Sequence, residues 1–266
     1  MHTQTTADHL SELPQNTFTV QQLTPIAKDH VTIVIPQQVT TPKVGVVIPA
    51  LNEEKNIEDV ICRLKDLGFY NLLVIDGQSK DNTIEVAQKN GAKVIVQEGR
   101  GKGRAIRQVL NNDYFDVDAL VLMDADGSMR PEEIPAFIAA LNSGADVVKG
   151  SRFLKGGYTY DMSAVRRFGN MVMISVVNLV WSAKYTDLCY GFVVLNKLAV
   201  KKLAPLLESE SFEIETELFI KALQAGLVVK EVPSTEFTRK NGASNLNAFR
   251  DGLKIFRRIA REIIYP

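Results

Sequence analysis

From Lys43 onward, short apolar runs alternate with amphipathic stretches. Val44–Pro49, Leu72–Asp76, Val94–Val96 and Leu120–Asp124 are compact runs rich in β-branched residues and read as buried strands. Between them, Glu53–Leu67, Asp81–Asn90, Gly103–Leu110 and Pro131–Leu141 carry apolar residues at helical spacing, with Asp81 placed as a cap and Pro131 at a helix start. Val147–Val148 opens another strand. Strands and helices alternating at this length predict an α/β fold of βαβ units, with a mostly parallel central sheet flanked by helices. The second half is less regular. It predicts a long helix over Ala164–Ala183, a strand over Tyr190–Leu195, a helix over Glu213–Ala225, a strand over Leu227–Val232 and an amphipathic helix over Asn247–Ile264. Residues 1–42 are rich in Gln, Thr and Pro and lack helical periodicity. They read as an extension, either partly disordered or packed on the surface, with Val31–Pro36 as a candidate edge strand. The expected division is therefore extension 1–42 and domain 43–266.

Composition narrows the chemistry. The chain has 266 residues, with 31 Lys and Arg against 31 Asp and Glu. Its length suits one large domain or two small ones. A formal charge of zero supplies no global field for nucleic acid, so no nucleic-acid partner is expected. The histidines are His2, His9 and His30, so the domain that follows is histidine-free. That excludes a His-dependent triad, a His-rich zinc site and a His general base there. Cys62 and Cys189 match no metal spacing and fit a reducing compartment. The N-terminus lacks a basic stretch followed by an apolar core, and no apolar run approaches the roughly 18 to 20 residues a bilayer span needs. A cytoplasmic protein, placed either in solution or at the inner face of the membrane, is the expectation.

The polar residues gather where the predicted strands end. Asn52 and Glu53 follow the first strand, Asp76 closes the second, and Asp124 and Asp126 follow the fourth. In open sheets of this kind ligands sit beyond the carboxyl ends of the strands. Asp124-Ala125-Asp126 reads either as an acidic turn or as a pair of carboxylates for a hard divalent cation that also grips substrate phosphates. Gly99-Arg100-Gly101-Lys102-Gly103 opens a helix, where backbone N–H groups and a lysine suit an anion. It lacks the spacing of a Walker loop or a dinucleotide fingerprint. Together these features place an acid for a ribose or base, a cation for phosphate and a metal pair around one crevice.

VVIPALNEE, VIDGQSKDNT, GRGKGRA, MDADGS, GSRF, TDLCYGF, FEIETEL and EVPSTEFTRKNGASNL occur in that order between Lys43 and Ile263. In this series the chain resembles the inverting family 2 glycosyltransferases of GT-A fold, in the branch of dolichol-phosphate mannose synthases and related bacterial enzymes. The resemblance implies a Rossmann-like nucleotide-sugar binding half joined to an acceptor half. It implies transfer of a hexose from a nucleotide-sugar, of GDP-mannose or UDP-glucose type, with inversion and with Mg²⁺ or Mn²⁺ as cofactor. Pro49, Leu51, Asn52, Glu53 and Asp76 would line the nucleoside pocket, with Lys102 and Ala125 in the same donor site. Asp124 would contact the ribose or the metal, and Asp126 would ligate the metal. Ser128 stands where close relatives often carry Gln as a further metal ligand. Leu51 stands where relatives often carry an aromatic residue. Asp76 follows Ile75 where relatives have an Asp-Asp pair, which leaves the donor base open. Arg152, Arg166 or Arg167, and Arg239 match positions that contact phosphates, the other reading of each being a solvated or salt-bridged arginine.

Asp187 matches an acid that serves as general base in many inverting relatives; with a phosphate acceptor, already an anion, it would position instead. Glu213, Glu215 and Glu217 either line the acceptor side or are acids favoured in a first helical turn. Met171–Trp181 reads as core helix, dimer contact or lipid-touching face; with the basic C-terminal helix it raises peripheral membrane contact and leaves a homo-oligomer open. The preferred acceptor is a polyprenyl phosphate. A hydroxyl of a small molecule or natural product, including phosphoglycerate-type acceptors, comes next. Two rivals from other classes are weaker. A nucleotidyltransferase would carry a basic Gly-rich loop where PALNEE stands, and a non-catalytic nucleotide-sugar binding protein would favour loss of a metal aspartate, yet Asp124, Asp126 and Asp187 are all present.

Overall fold

The computed structural model describes residues 42–242 and 247–265. The expected extension, with its candidate strand Val31–Pro36, lies outside the described residues except for Pro42. The first half alternates as the pattern predicts: β1 (Val44–Ala50), α1 (Ile57–Asp66), β2 (Leu72–Asp76), α2 (Thr83–Lys89), β3 (Lys93–Val96), α3 (Lys102–Leu110), β4 (Ala119–Leu122) and α4 (Ile134–Asn142). The second half follows with β5 (Val147–Ser151), β6 (Tyr158–Thr159), α5 (Ala164–Trp181), β7 (Val193–Asn196), α6 (Lys197–Leu203), α7 (Ile214–Gln224), β8 (Val229–Pro233), β9 (Thr235–Glu236) and α8 (Ala248–Ile264). Seven strands form one sheet in the order β3-β2-β1-β4-β7-β5-β8, and β6 pairs with β9 separately. In the large sheet every pairing is parallel except those of β7, which runs antiparallel to both β4 and β5. The architecture is the expected one, a mostly parallel sheet flanked by helices.

Strand alternation sends side chains to two cores. Val47, Leu73, Ile75, Leu120 and Leu122 face one, which is covered by apolar residues of α3, α5, α6, α7 and α8. Val46, Ile48, Leu72, Val74 and Val121 face the other, under α1 and α4. Helix α1 shows why its sequence is helical: Ile57, Val60, Ile61 and Leu64 repeat at helical spacing and all are buried.

Several boundaries differ from the sequence expectation for local reasons. Helix α2 starts later, because the Asp81 carboxylate accepts from the Thr83 N–H at 3.1 Å and from its hydroxyl at 2.5 Å, ahead of the helix. Pro131 opens a short 3-10 turn, Pro131–Glu133, and α4 begins only at Ile134. Helix α6 was not foreseen; it starts where the Asn196 side chain accepts from the Ala199 N–H at 2.7 Å. The expected strand Tyr190–Leu195 is shifted to Val193–Asn196.

The topology locates the site. Strand β1 has β2 on one side and β4 on the other, so the chain order reverses between β1 and β4. A crevice opens beyond the carboxyl ends of strands at such a switch point. Its rim is fixed by a close approach between the start of α3 and the segment after α6. A Cβ on Gly103 would overlap the Ser209 carbonyl oxygen and lie 2.7 Å from the Glu210 carbonyl carbon. These are backbone atoms that cannot swing aside. Gly103→Ala is therefore expected to lose about 1–3 kcal/mol of stability, read as a lower urea midpoint; an unchanged midpoint would show that the two segments part at no cost.

Candidate active site

The cleft at this edge has a volume of about 590 Å³, within the usual range for small-molecule sites. The segment after β1 supplies Pro49, Leu51, Asn52 and Glu53. Asn52 adopts a left-handed φ of 56°. Its N–H donates to the Ser79 hydroxyl and its side-chain oxygen accepts from the Lys80 N–H, both at 2.8 Å, which ties the loops after β1 and β2 together. The segment after β4 supplies Asp124, Ala125, Asp126 and Ser128. The Ser128 N–H donates to the Asp126 carboxylate at 2.9 Å and so orients it. Lys102 enters from the first turn of α3, Arg166 from α5, and Arg239 from the segment after β9.

Charge dominates the middle of this cleft. The Lys102 ammonium lies 2.5 Å from Asp124 and 2.7 Å from Glu215. The Arg239 guanidinium bridges Asp126 at 2.9 Å and Glu53 at 2.8 Å. Asn56 donates to the other Glu53 oxygen at 2.6 Å. Burial alone would lower the pKa of Lys102, but Asp124 and Glu215 raise it above the ordinary lysine value, so it is charged. Burial raises Asp124 to about 6, and Asp126 and Glu215 push the same way against Lys102. Burial likewise raises Glu53. Cys189 lines the cleft, but burial pushes its thiol up to about 12, so it presents no thiolate nucleophile.

No group of three or more acids, histidines or cysteines among the described residues is arranged to hold a metal by itself, but two cleft carboxylates offer the oxygens a hard divalent ion takes. Asp124 and Asp126, one residue apart, turn oxygen ligands into the same cleft, which suits Mg²⁺ or Mn²⁺ completed by diphosphate oxygens and water. When bound, such an ion would supply Lewis-acid stabilisation of charge on a leaving diphosphate. Ser128 lines the cleft beside them.

Three expected site residues are not on the cleft wall. Asp76, placed by sequence in the nucleoside pocket, is fully buried; one oxygen accepts from the Ser79 N–H at 2.9 Å and the other has no hydrogen-bond partner among the described residues. It shapes the turn after β2, and Gly77 and Gln78 line the cleft in its place. Arg152 and Asp187, expected as catalytic groups, are 2% and 0% exposed and bind each other through two side-chain hydrogen bonds of 2.7 and 2.9 Å. Asp187 also accepts from Asn170 at 3.0 Å and from the N–H groups of Arg152 and Cys189 at 3.2 Å. Arg152 further donates to Glu236 and to the Cys189 carbonyl. A general base must reach the proton it removes, and this carboxylate is sealed with both oxygens engaged. Burial alone would raise its pKa, but Arg152 holds it below the usual carboxylate range. Of Arg166 and Arg167, the cleft takes Arg166, while Arg167 sits over the Phe153 ring.

The three glutamates at the start of α7, Glu213 just before it and Glu215 and Glu217 within it, divide. Glu215 faces the cleft, whereas Glu217 is buried and accepts from the Glu208 and Ser209 N–H groups at 2.9 and 2.8 Å. Glu213 accepts from the Ser211 N–H at 3.2 Å. Sequence reasoning did not single out Asp161, Glu236 or Arg250, which also line the cleft. Arg250 was legible only as one cation among several on an amphipathic helix; nothing local separated it from the rest.

The model of glycosyl transferase family 2 matches residues 45–204. The chain belongs to that family. This glycosyltransferase is 32% identical over 225 residues to glycosyltransferase AglJ of Haloferax volcanii, covering 84% of this chain and 72% of that one. It is 32% identical over 214 residues to the dolichol-phosphate mannosyltransferase of Pyrococcus furiosus, covering 77% of this chain and 59% of that one. It is 30% identical over 225 residues to the dolichyl-phosphate hexose transferase of Haloferax volcanii, covering 84% of this chain and 94% of that one. In fold it is similar to glucosyl-3-phosphoglycerate synthase from Mycobacterium tuberculosis, solved with Mn²⁺, UDP and glucosyl-3-phosphoglycerate, at a TM-score of 0.68 and 21% identity, covering 85% of this chain and 81% of that one.

The buried pair gives this glycosyltransferase a measurable signature. Asp187→Asn removes the closer of the two carboxylates that Arg152 binds, leaving only Glu236 at 3.0 Å, and should cost about 3 kcal/mol. Because the Asp187 pKa is depressed in the fold, its contribution is present above the unfolded value near 3.9 and is lost as pH falls through the lower folded value. Urea titrations should therefore show a constant gap between wild type and variant from about pH 5 to 7, shrinking below about pH 4. A gap independent of pH down to about pH 2 would contradict the assignment.

Proposed function

We propose that this glycosyltransferase moves a hexose from a nucleotide-sugar to a polyprenyl phosphate at a membrane surface, with inversion and with Mg²⁺ or Mn²⁺. The observation that carries this reading is the pair of helices beside the cleft. Helix α8 turns Asp251, Ile255, Arg258, Ile259 and Glu262 inward. Its outward face carries Phe249, 82% exposed, with Leu253, Phe256, Ile263 and Ile264. Arg250, Arg257 and Arg261 flank that face. Helix α5 packs against α8 and exposes Val165, Phe168, Met171 and Leu179, the last at 84%. Of the Met171–Trp181 stretch, only Met173 and Val177 are buried. An apolar face edged by arginines suits an interface of acyl chains and anionic headgroups. Each helix also sends one arginine, Arg166 or Arg250, to the cleft, where a phosphate joined to an apolar tail would be held.

The rest of the cleft supports the donor half of the reading. Asp124 and Asp126 would hold the ion, and Lys102 and Arg239 would contact the diphosphate. Pro49, Leu51 and Asn52 would flank the nucleoside. A phosphate acceptor needs no general base, which agrees with the sealed position of Asp187. The names of the Pyrococcus furiosus and second Haloferax volcanii relatives point to dolichyl phosphate acceptors for those proteins. A hydroxyl acceptor is the second reading; the fold neighbour's name points to phosphoglycerate for that enzyme.

Two tests follow. Purified protein is supplied with GDP-mannose or UDP-glucose, Mn²⁺, and either a polyprenyl phosphate in mixed micelles or 3-phosphoglycerate. Glycosylated polyprenyl phosphate is the expected product, and product from 3-phosphoglycerate alone would reverse the acceptor assignment. Asp126→Ala should cut transfer by at least about a hundredfold without lowering the thermal midpoint by more than a few degrees. In flotation with vesicles containing anionic lipid, the wild type should rise with the vesicles and a Phe249→Ser, Phe256→Ser double variant should stay below. Wild type remaining wholly in solution would remove the membrane placement.

A further inference from the structure

The two candidate metal carboxylates are each held by a cation of the chain, and each of those cations has a second acid of its own. Lys102 lies between Asp124 and Glu215, and Arg239 lies between Asp126 and Glu53. We infer that Lys102 and Arg239 are handover cations, which compete with a divalent ion for Asp124 and Asp126 and turn to the diphosphate when the ion takes those aspartates, so that metal and nucleoside diphosphate bind strongly only together. The inference rests on the donor site proposed above and deepens it.

Three features support the handover. First, the bridging geometry leaves each cation anchored after it yields its aspartate. Glu215 keeps Lys102, and Glu53, itself fixed by Asn56 at 2.6 Å, keeps Arg239. Second, the local charge is set for it. Within this paired cluster four carboxylates face two cations, a surplus that one divalent ion offsets, while the cleft wall as a whole balances six acids with six Lys and Arg. An ion arriving alone leaves both chain cations deprived of one carboxylate, a cost that diphosphate oxygens remove by accepting from the freed N–H groups. Third, the fold keeps room for the lysine pair. A Cβ on Gly191 would meet Glu215 and would come 2.7 Å from the Lys102 ammonium. Glycine at that position leaves the Lys102–Glu215 contact undisturbed.

The coupling is a mutual free energy between two ligands, so it shows in binding without turnover. Mn²⁺ binding to the full chain is followed by the electron paramagnetic resonance signal of the free ion, alone and with UDP, GDP or dTDP. The wild type should bind Mn²⁺ at least about fivefold more tightly with the nucleotide that fits than without it. Arg239→Gln should move the two affinities in opposite directions, strengthening Mn²⁺ binding alone and weakening it in the presence of nucleotide. A merely structural arginine would weaken both. Arg239 is partly exposed, so the variant is expected to fold; Lys102→Gln, which should shift the two affinities in the same opposed directions, is the second variant, because diphosphate oxygens on the ion would couple the two ligands even without a handover. Equal Mn²⁺ affinity with and without a nucleotide that binds would overturn the handover and leave the donor site standing. No binding of any of the three nucleotides, with Mn²⁺, to folded wild-type protein would overturn the donor site and the handover together.

Discussion

The second half of this fold depends on one buried ion pair. Arg152 closes β5, Asp187 lies on the approach to β7, and their two-pronged contact is shielded from water. Buried charges are costly unless every donor and acceptor is met, and here they are met from three different segments. Asn170 of α5, the Cys189 backbone and Glu236 of β9 join the pair directly. Next to it the fully buried Lys149 ammonium binds Glu231 of β8 at 2.7 Å and the Asp187 carbonyl, under the rings of Tyr185 and Phe219. Any arrangement that moved β7 away from β5 would expose or unpair these charges. The network therefore sets where Cys189, Tyr190 and Gly191 stand, and those residues form one wall of the cleft.

This placement separates two kinds of charge. Deep charges, led by Arg152, Lys149, Asp187 and Glu217, hold elements together. Cleft charges are partly reachable: Lys102 bridges Asp124 after β4 to Glu215 of α7, and Arg239 bridges Asp126 after β4 to Glu53 after β1. Both kinds are spelled with the same residue types. In a domain without histidine, carboxylates, lysine and arginine fill both roles, and their place on or off the cleft wall separates the two sets.

That is also why the sequence was only partly legible. The alternation of apolar runs located β1 to β4 and their helices, because parallel strands covered on both faces are nearly continuous in Val, Ile and Leu. Asp124 and Asp126 were legible because polar residues after an apolar strand fall at the ligand edge of such a sheet. Asp76 obeys the same rule and yet is fully buried, with one carboxylate oxygen held by the turn that follows it. Arg152 and Asp187 sit in motifs that looked reactive, and nothing in those motifs tells that the two are buried and paired with each other. The glutamates of α7 look alike in sequence; that Glu215 meets Lys102 across 113 residues, while Glu217 holds the backbone at 208–209, is a tertiary fact. The outward apolar face of α8 was visible as amphipathicity, but not which of its faces turned inward.

Strand β7 carries a further consequence. In the parallel strands the chain enters far from the ligand and leaves beside it, so site residues come after the strand. Because β7 is reversed, its chemistry lies upstream: Cys189, Tyr190 and Gly191 reach the cleft before the strand begins, and α6 starts at the opposite edge of the sheet once it ends. Chain length is thus constrained unequally on its two flanks. Residues added between Gly191 and Val193 would displace a wall of the cleft, whereas residues added around Lys197 would emerge at the sheet's other end. Length can therefore change at that distal corner without moving the cleft, whereas on the upstream flank it cannot.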